Sequence, residues 1–434
     1  MPSVPPPPAR ELGLKELAAI GIGGMIGGGI FSMLGLAVHV SGHAAPLAFA
    51  VGSVIALVAG YSYARLALAF PDDGASYAYL KAAFPRHRSV AGVTAWTVVL
   101  GYVGTLGLYS FTFAAYGAHL LGAAGSPTLR AALTVLVMTG FVVLNVVGVR
   151  ELGRAQDLIV YAKVALLFLL GAVGFLQVDP DAYRPLLDRG PDSVLLGGAL
   201  IFVAYEGFQL ITNGVQEARR PERDVWRGIL TAILVVSAIY VSLAFVAVGT
   251  LDEETLLGAR EYALAAVARP VLGRFGPVLV DVAALLATAS AINATLFGAS
   301  RVAREAAADR LAPHFLAEVD AQGLPTRAVL LIGGFGLLLG LLGGLEVIAS
   351  FSSLTFLLVS IAVCVANLRL RHETRSRIVP IGLGLVLMLA TVALLLAYMV
   401  EDDPNGLRVV AGIYGGVALA FVAFNLPLAR LRRR

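Results

Sequence analysis

Apolar residues run along this chain in long blocks, each closed by a short cluster of charged or turn-forming residues. A membrane-spanning helix needs roughly 20 mostly apolar residues, and about twelve blocks approach or exceed that length. They lie near 14–38, 43–69, 89–121, 128–149, 156–177, 192–215, 227–250, 275–303, 326–344, 346–368, 378–400 and 407–429. The boundary between the ninth and tenth rests on Gly343-Gly344 alone. Strict alternation is missing and charge per block is low, which favours helices over an outer-membrane barrel. The pattern predicts an all-α integral membrane protein.

Composition sharpens this. Hydrophobic residues make up 58% of the 434 and charged residues 14%, against about 25% in soluble domains. A water-soluble enzyme and a disordered chain are both excluded on those grounds. Cys364 is the single cysteine and the six His are scattered, so no disulfide framework, metal site or other cofactor is expected.

The distribution of Lys and Arg sets orientation. With the N-terminus inside, the outer loops hold Arg130, Arg184, Arg189, Arg260, Arg269, Arg274 and Arg408, Lys163 lies within a span, and the rest fall inside. One span more or fewer before the middle would destroy that bias. Both termini are therefore expected in the cytoplasm, and the basic residues report topology rather than nucleic-acid binding. Arg10, Glu11 and Lys15 lead straight into the first span without a cleavage pattern, so no cleaved signal is expected. Asp179–Asp192 and Asp252–Glu261 are the longest outer loops, and no soluble domain of useful size is expected.

Two spans carry features that simple packing does not need. In span one, Gly27, Gly28 and Gly29 follow a run already rich in glycine. Each Gly costs a helix up to about 1 kcal/mol relative to Ala, so the helix is expected to unwind there. Unwound backbone at membrane depth survives only where it is buried in protein or lines a cavity. Its freed N–H groups, at the start of the next half-helix, suit an anion such as a carboxylate. A tight helix crossing without a ligand is the alternative. Span six contains Phe202-Val203-Ala204-Tyr205-Glu206-Gly207-Phe208, with an acid beside a Gly near mid-membrane. That carboxyl must face the bundle interior, either protonated or paired. Two interrupted helices of opposite direction at positions one and six are the pattern of a five-plus-five inverted repeat.

These residues resemble a family. Met25-Ile26-Gly27-Gly28-Gly29-Ile30-Phe31 resembles the first-helix motif of amino-acid permeases of the amino acid–polyamine–organocation superfamily. Phe202–Phe208 resembles the sixth-helix motif, Glu217 with Arg220–Arg227 the loop that follows, and Asn293–Arg301 the end of helix eight. Asp309, Leu311, Pro313, Gly323 and Pro325 continue the pattern. Arg220 and Trp226 depart from it, and Arg310 stands where Gly is usual.

The resemblance implies a LeuT-like fold with helices one and six broken, and helices eleven and twelve peripheral. Residues 1–13 would form a cytoplasmic tail. A ten-helix transport core would cover 14–368, in repeats of about 14–177 and 192–368. Residues 369–434 would carry the last two helices and a basic tail. It further implies a free amino acid held at the midplane. The N–H groups of Gly28, Gly29 and Ile30 would bind its carboxylate, and the carbonyls of Met25, Val203 and Glu206 its ammonium. Phe208 would gate it.

Lys163 has two readings. A long side chain near the inner end of span five can snorkel to the interface. By resemblance, its ammonium occupies the place of a sodium ion between helices one and eight, which implies sodium independence and opens the way to proton coupling. Thr288 and Ser290 are its candidate hydroxyl partners, with back-bonding to the preceding turn as the alternative. Glu206 is either a proton carrier or a structural acceptor. Asp281 is expected to face solvent or an outer vestibule, and His119 the interface.

Pocket walls are expected from Tyr102, Tyr109, Phe208, Asn293, Ser353 and Phe356. No other buried acid awaits a basic side chain, so a neutral amino acid is favoured over a cationic one or a polyamine. The functional expectation is secondary active transport by alternating access in the plasma membrane, with amino acid, lipid and protons as partners. The rivals are an amino acid/amine exchanger and a channel. No phosphate-binding Gly-Lys-Ser/Thr loop is seen, and no convergent catalytic set, so an enzyme is not expected. Oligomeric state is not legible.

Overall fold

The computed structural model describes residues 11–71, 75–148, 153–320 and 323–431. Most of the expected N-terminal tail and Arg432–Arg434 lie outside them. Seventeen α-helices occur among the described residues. In order they are α1 (Leu14–Met25), α2 (Gly29–Ser41), α3 (Ala45–Ala69), α4 (Ala75–Ala83), α5 (Arg88–Leu120) and α6 (Pro127–Val147). Then come α7 (Gly153–Phe175), α8 (Asp192–Leu200), α9 (Leu210–Asn213), α10 (Pro221–Thr250), α11 (Glu253–Gly258) and α12 (Ala263–Leu272). The chain ends with α13 (Gly276–Ala308), α14 (Thr326–Leu342), α15 (Leu345–Arg369), α16 (Ile378–Glu401) and α17 (Pro404–Leu431). No strand occurs among the described residues; a single bridge joins Leu12 to Ala218.

Local chemistry sets the boundaries. The Ser126 hydroxyl accepts the Leu129 N–H at 3.3 Å and Pro127 opens α6, while Gly148 closes it at φ 81°. Gly343 and Gly344 separate α14 from α15, as expected from the dipeptide. The acidic segment 252–261 folds in part into α11, capped where Asp252 accepts the Thr255 N–H at 2.8 Å.

Among the described residues seven helical segments are long and apolar enough to cross a membrane, and eight if the bent pair 192–200 and 202–213, with its 53° kink, counts as one. That is fewer than the twelve expected, for identifiable reasons. Span one is cut in two, and the apolar helices Ile159–Phe175 and Thr326–Leu342 are short. α5 and α13 are the longest, with 33 residues each, and pack against one another. At 1.5 Å per residue each reaches about 50 Å, well beyond a hydrocarbon core of about 30 Å.

Burial separates centre from rim. Of the most apolar stretch of α5, 83% is buried inside the protein, against 17% for α6. Leu136, Val143 and Val147 of α6, and Val379, Val386 and Leu389 of α16, are exposed. Apolar surface of this extent is unusual on a soluble monomer and suits a lipid-facing flank. The segment before α1 is tied in by its backbone. Leu12 donates its N–H to the Glu217 carbonyl at 3.0 Å, and its carbonyl accepts the Arg219 N–H at 2.8 Å.

Candidate substrate site

The first break follows from close approach. The ladder of α1 ends with the Ile26 N–H on the Ile22 carbonyl, and α2 begins at Gly29. A Cβ on Gly28 would lie 2.5 Å from the Tyr109 ring, and one on Gly29 would lie 2.8 Å from the Ala204 Cα. Glycine therefore serves here twice, releasing the helix and admitting a tyrosine and a second backbone. In α2 the Ser32 N–H, on the Gly28 carbonyl at 3.1 Å, is the first taken by the ladder. The N–H groups ahead of it have no helical acceptor.

The second break lies beside the first. α8 stops at Leu200, a 3-10 turn covers Phe202–Tyr205, and Gly207 adopts φ 134°, where an L side chain is strained. A Cβ on Gly207 would sit 2.4 Å from the Gly24 carbonyl carbon, so the two unwound segments touch. Polar side chains hold this arrangement. The Ser353 hydroxyl accepts the Val203 N–H at 3.1 Å and donates to the Leu200 carbonyl at 2.7 Å. The Gln209 side-chain oxygen Oε1 accepts the Gly207 N–H at 2.8 Å. Tyr240 of α10 brings its hydroxyl to 2.9 Å from the Met25 carbonyl and 3.3 Å from the Ala204 carbonyl.

A cavity of about 940 Å³ reaches this point. Gly23, Gly24, Glu206, Gly207, Tyr102 and Tyr109 line its deep part, with Ser290 and Phe356. Leu12, Glu16, Glu217, Arg301 and Arg304 line its other end, where the described chain begins. The far side is packed shut. A Cβ on Gly35 of α2 would lie 2.1 Å from the Arg260 carbonyl. Arg260 donates to Glu346 of α15 at 2.7 Å, and Glu346 also accepts the Tyr398 hydroxyl. Tyr262 stacks on His119, which pairs with Asp281 at 2.9 Å. Asp281 is thus buried and partnered, not facing solvent or a vestibule as its position near the helix end suggested. The hydrogen bond from His119 is what lets it stay there.

The expected site residues divide accordingly. Tyr102, Tyr109, Glu206, Ser290 and Phe356 line the cavity. Gly27, Gly28, Gly29 and Ile30 are buried and outside the cavity lining, Gly27 and Gly28 against Tyr109 and Gly29 against Ala204. Phe208 is fully buried and meets Tyr63 edge-on at 5.5 Å. Ser353 is spent on the span-six break, and Asn293 accepts an amide bond from Asn145 at 2.8 Å, so Asn145 is the one at the cavity. Thr288 back-bonds to the Ala284 carbonyl at 2.7 Å. The carbonyls of Met25 and Val203 each accept one bond already, from Tyr240 and from the Glu206 N–H, and each keeps a second lone pair.

Lys163 is buried and donates to the Gly23 carbonyl at 3.3 Å instead of extending to the rim. Gly23 is the first carbonyl that the α1 ladder leaves open, and a cation is favoured at that helix end. Glu206 is buried, and its Oε1 has no hydrogen-bond partner. Tyr240, Gln209 and Asn145 escaped the sequence reading. Asn145 is a lone polar residue in an apolar run, a signal that marks interest without naming a partner, whereas Gln209 and Tyr240 sit among other polar residues and carry no such signal.

The amino acid permease family profile matches residues 12–427. The chain belongs to the amino acid permease family. Permeases are transporters and not enzymes, so this is a multi-pass membrane protein of amino-acid transport. An uncharacterized protein of Methanocaldococcus jannaschii is 30% identical over 393 residues, covering 90% of this chain and 89% of its own. The inner membrane transport protein YbaT of Escherichia coli is 28% identical over 421 residues, covering 95% of each. The branched-chain amino acid permease BcaP of Bacillus subtilis is 26% identical over 377 residues, covering 82% of this chain and 80% of its own. The permease motifs therefore lie within a match that runs through nearly the whole chain.

Proposed function

We propose that this permease is a secondary active transporter that works by alternating access on a LeuT-like five-plus-five scaffold of twelve spans. The observation that carries the proposal is the contact of two unwound helices, Gly24 against Gly207, both of which line a cavity of about 940 Å³. The amino acid binds there. Its carboxylate meets the N–H groups that open α2, from Gly28 to Ile30, and its ammonium meets the spare lone pairs of Met25, Val203 and Glu206. With the termini in the cytoplasm of a plasma-membrane protein, the mouth faces inward and the Arg260–Glu346 side faces out. A channel needs a continuous polar lining, and the packed far side argues against one.

Lys163 takes the part of a coupling cation. Its ammonium answers a carbonyl that the break exposes, so transport is independent of sodium and draws on protons. The substrate is a neutral amino acid, in keeping with the similarity to the branched-chain amino acid permease of Bacillus subtilis. A second reading, exchange of a cationic amino acid or amine, is favoured by one observation: the unpartnered Glu206 Oε1 on the cavity wall.

Uptake of labelled amino acids into proteoliposomes tests both. Leucine or alanine uptake should be saturable, driven by an inward proton gradient and indifferent to sodium. Obligatory sodium dependence, or a Lys163→Ala variant with unchanged proton coupling, overturns the Lys163 role. Uptake of lysine or putrescine that requires preloaded substrate establishes the exchanger instead.

A further inference from the structure

We propose that Tyr240 is a positioning residue for substrate binding, clamping the two unwound segments together through one shared proton. The inference rests on the transport reading above. Tyr240 is fully buried on α10, a helix that is itself unbroken. Its ring is fixed by edge-on packing against Phe49 at 5.7 Å and by Tyr205 at 5.4 Å. The hydroxyl then has little freedom. It stands 2.9 Å from the carbonyl of Met25, where α1 stops, and 3.3 Å from that of Ala204, inside the span-six turn. No other hydroxyl among the described residues bonds to both breaks.

A phenol has one proton and can donate to one carbonyl at a time. The shorter distance assigns it to Met25, and Ala204 is held as the alternative acceptor. Both carbonyls are left over where helices end, and an unpaired carbonyl in this dry interior is costly. Tyr240 thus fixes the distance between the segments and the direction of the Met25 carbonyl, whose remaining lone pair is offered to the ammonium. Tyr240 lies outside the cavity lining, whereas Met25 directly follows Gly24, which lines it, so Tyr240 acts through the main chain at Met25 and not by touching substrate.

The test compares Tyr240→Phe with Tyr116→Phe in proteoliposome uptake. Tyr116 is an equally buried tyrosine whose hydroxyl donates to the Phe31 carbonyl at 2.7 Å, inside helix α2 and not on an unwound segment. Tyr240→Phe is expected to raise KM about tenfold or more with Vmax within about threefold, the mark of lost binding. Tyr116→Phe is expected to lower the melting temperature while leaving KM within about twofold. A KM for Tyr240→Phe within about twofold of wild type, or equal KM increases in both variants, overturns the proposal. If Tyr240→Phe is not recovered folded, difluorotyrosine at 240 keeps the ring and the donor but changes its strength. A KM shift of about threefold or more then supports the clamp, and a smaller one overturns it. Wild-type protein without saturable amino-acid uptake overturns the transport reading and the clamp with it. Normal wild-type uptake with an unmoved variant overturns the clamp alone.

Discussion

Arg310 follows the C-cap of α13 at φ 60°, a conformation that favours glycine. The Leu311 N–H reaches back to the Ala306 carbonyl at 2.8 Å and the Arg310 N–H to Ala307 at 3.0 Å, closing a left-handed helix end. The side chain is exposed, so nothing in the packing requires arginine there. The substitution Arg310→Gly should relieve the strain and stabilise the protein by up to about 1 kcal/mol, read as a raised melting temperature. Gly28 is the opposite case. Gly28→Ala would drive a methyl into the Tyr109 ring at 2.5 Å, and overpacking of that kind costs about 1–3 kcal/mol. Uptake should fall at least about tenfold while the protein is still recovered folded. Both positions were visible in the sequence, Arg310 as a departure from a usual Gly and Gly28 as part of a glycine run. Their reasons were not, because a dihedral angle and a neighbouring ring are properties of the fold.

Helix ends followed the text of the chain closely, since Gly, Pro and charge clusters act locally. The breaks in spans one and six were legible for the same reason. Partnerships across helices were not. Ser353 was expected at the substrate and instead ties down Val203 and Leu200, because the rotation of α15 about its axis decides which face a serine presents. Asp281 looked like a surface acid until His119 of α5 was beside it. At this scale the ion pair Arg260–Glu346 invites a test. Both side chains are partly exposed, so the pair contributes about 1 kcal/mol or less to stability. Glu346→Gln should therefore leave the melting temperature nearly unchanged while increasing labelling of a cysteine introduced on the Arg260 side. At the start of α11, the Thr255 N–H bond to the Asp252 carboxylate holds its pKa below the usual range. Its cap on α11 is thus present above about pH 4 and lost as pH falls through the lowered value. Hydrogen exchange at Thr255 should accelerate on acidification through that range, and Asp252→Asn should remove most of the pH dependence.

The whole molecule is asymmetric about its middle. One side is laced by Arg260, Glu346 and Tyr398, and the other opens through a cavity to Glu16, Glu217, Arg301 and Arg304. A cysteine at Ala294, which lines that cavity, should react with a membrane-impermeant thiol reagent from the cytoplasmic face alone, and bound amino acid should slow it. Cys364 is buried and adds no background. Equal labelling from both faces would contradict the one-sided reading. Composition was enough to read the membrane class, and the charge distribution supplies the expected orientation that this labelling tests. The conformational state was not readable at all, since one sequence must serve every state of a cycle.

Leu12 shares two main-chain hydrogen bonds with the stretch after α9. That stitch makes the approach to the first helix and the exit from the sixth one mechanical piece, like two leaves of a hinge pinned at the same knuckle. A fluorophore fused ahead of Leu12 would ride on that piece and register each swing of the door, whereas a proline at Leu12 would cut one thread and let the leaves drift apart.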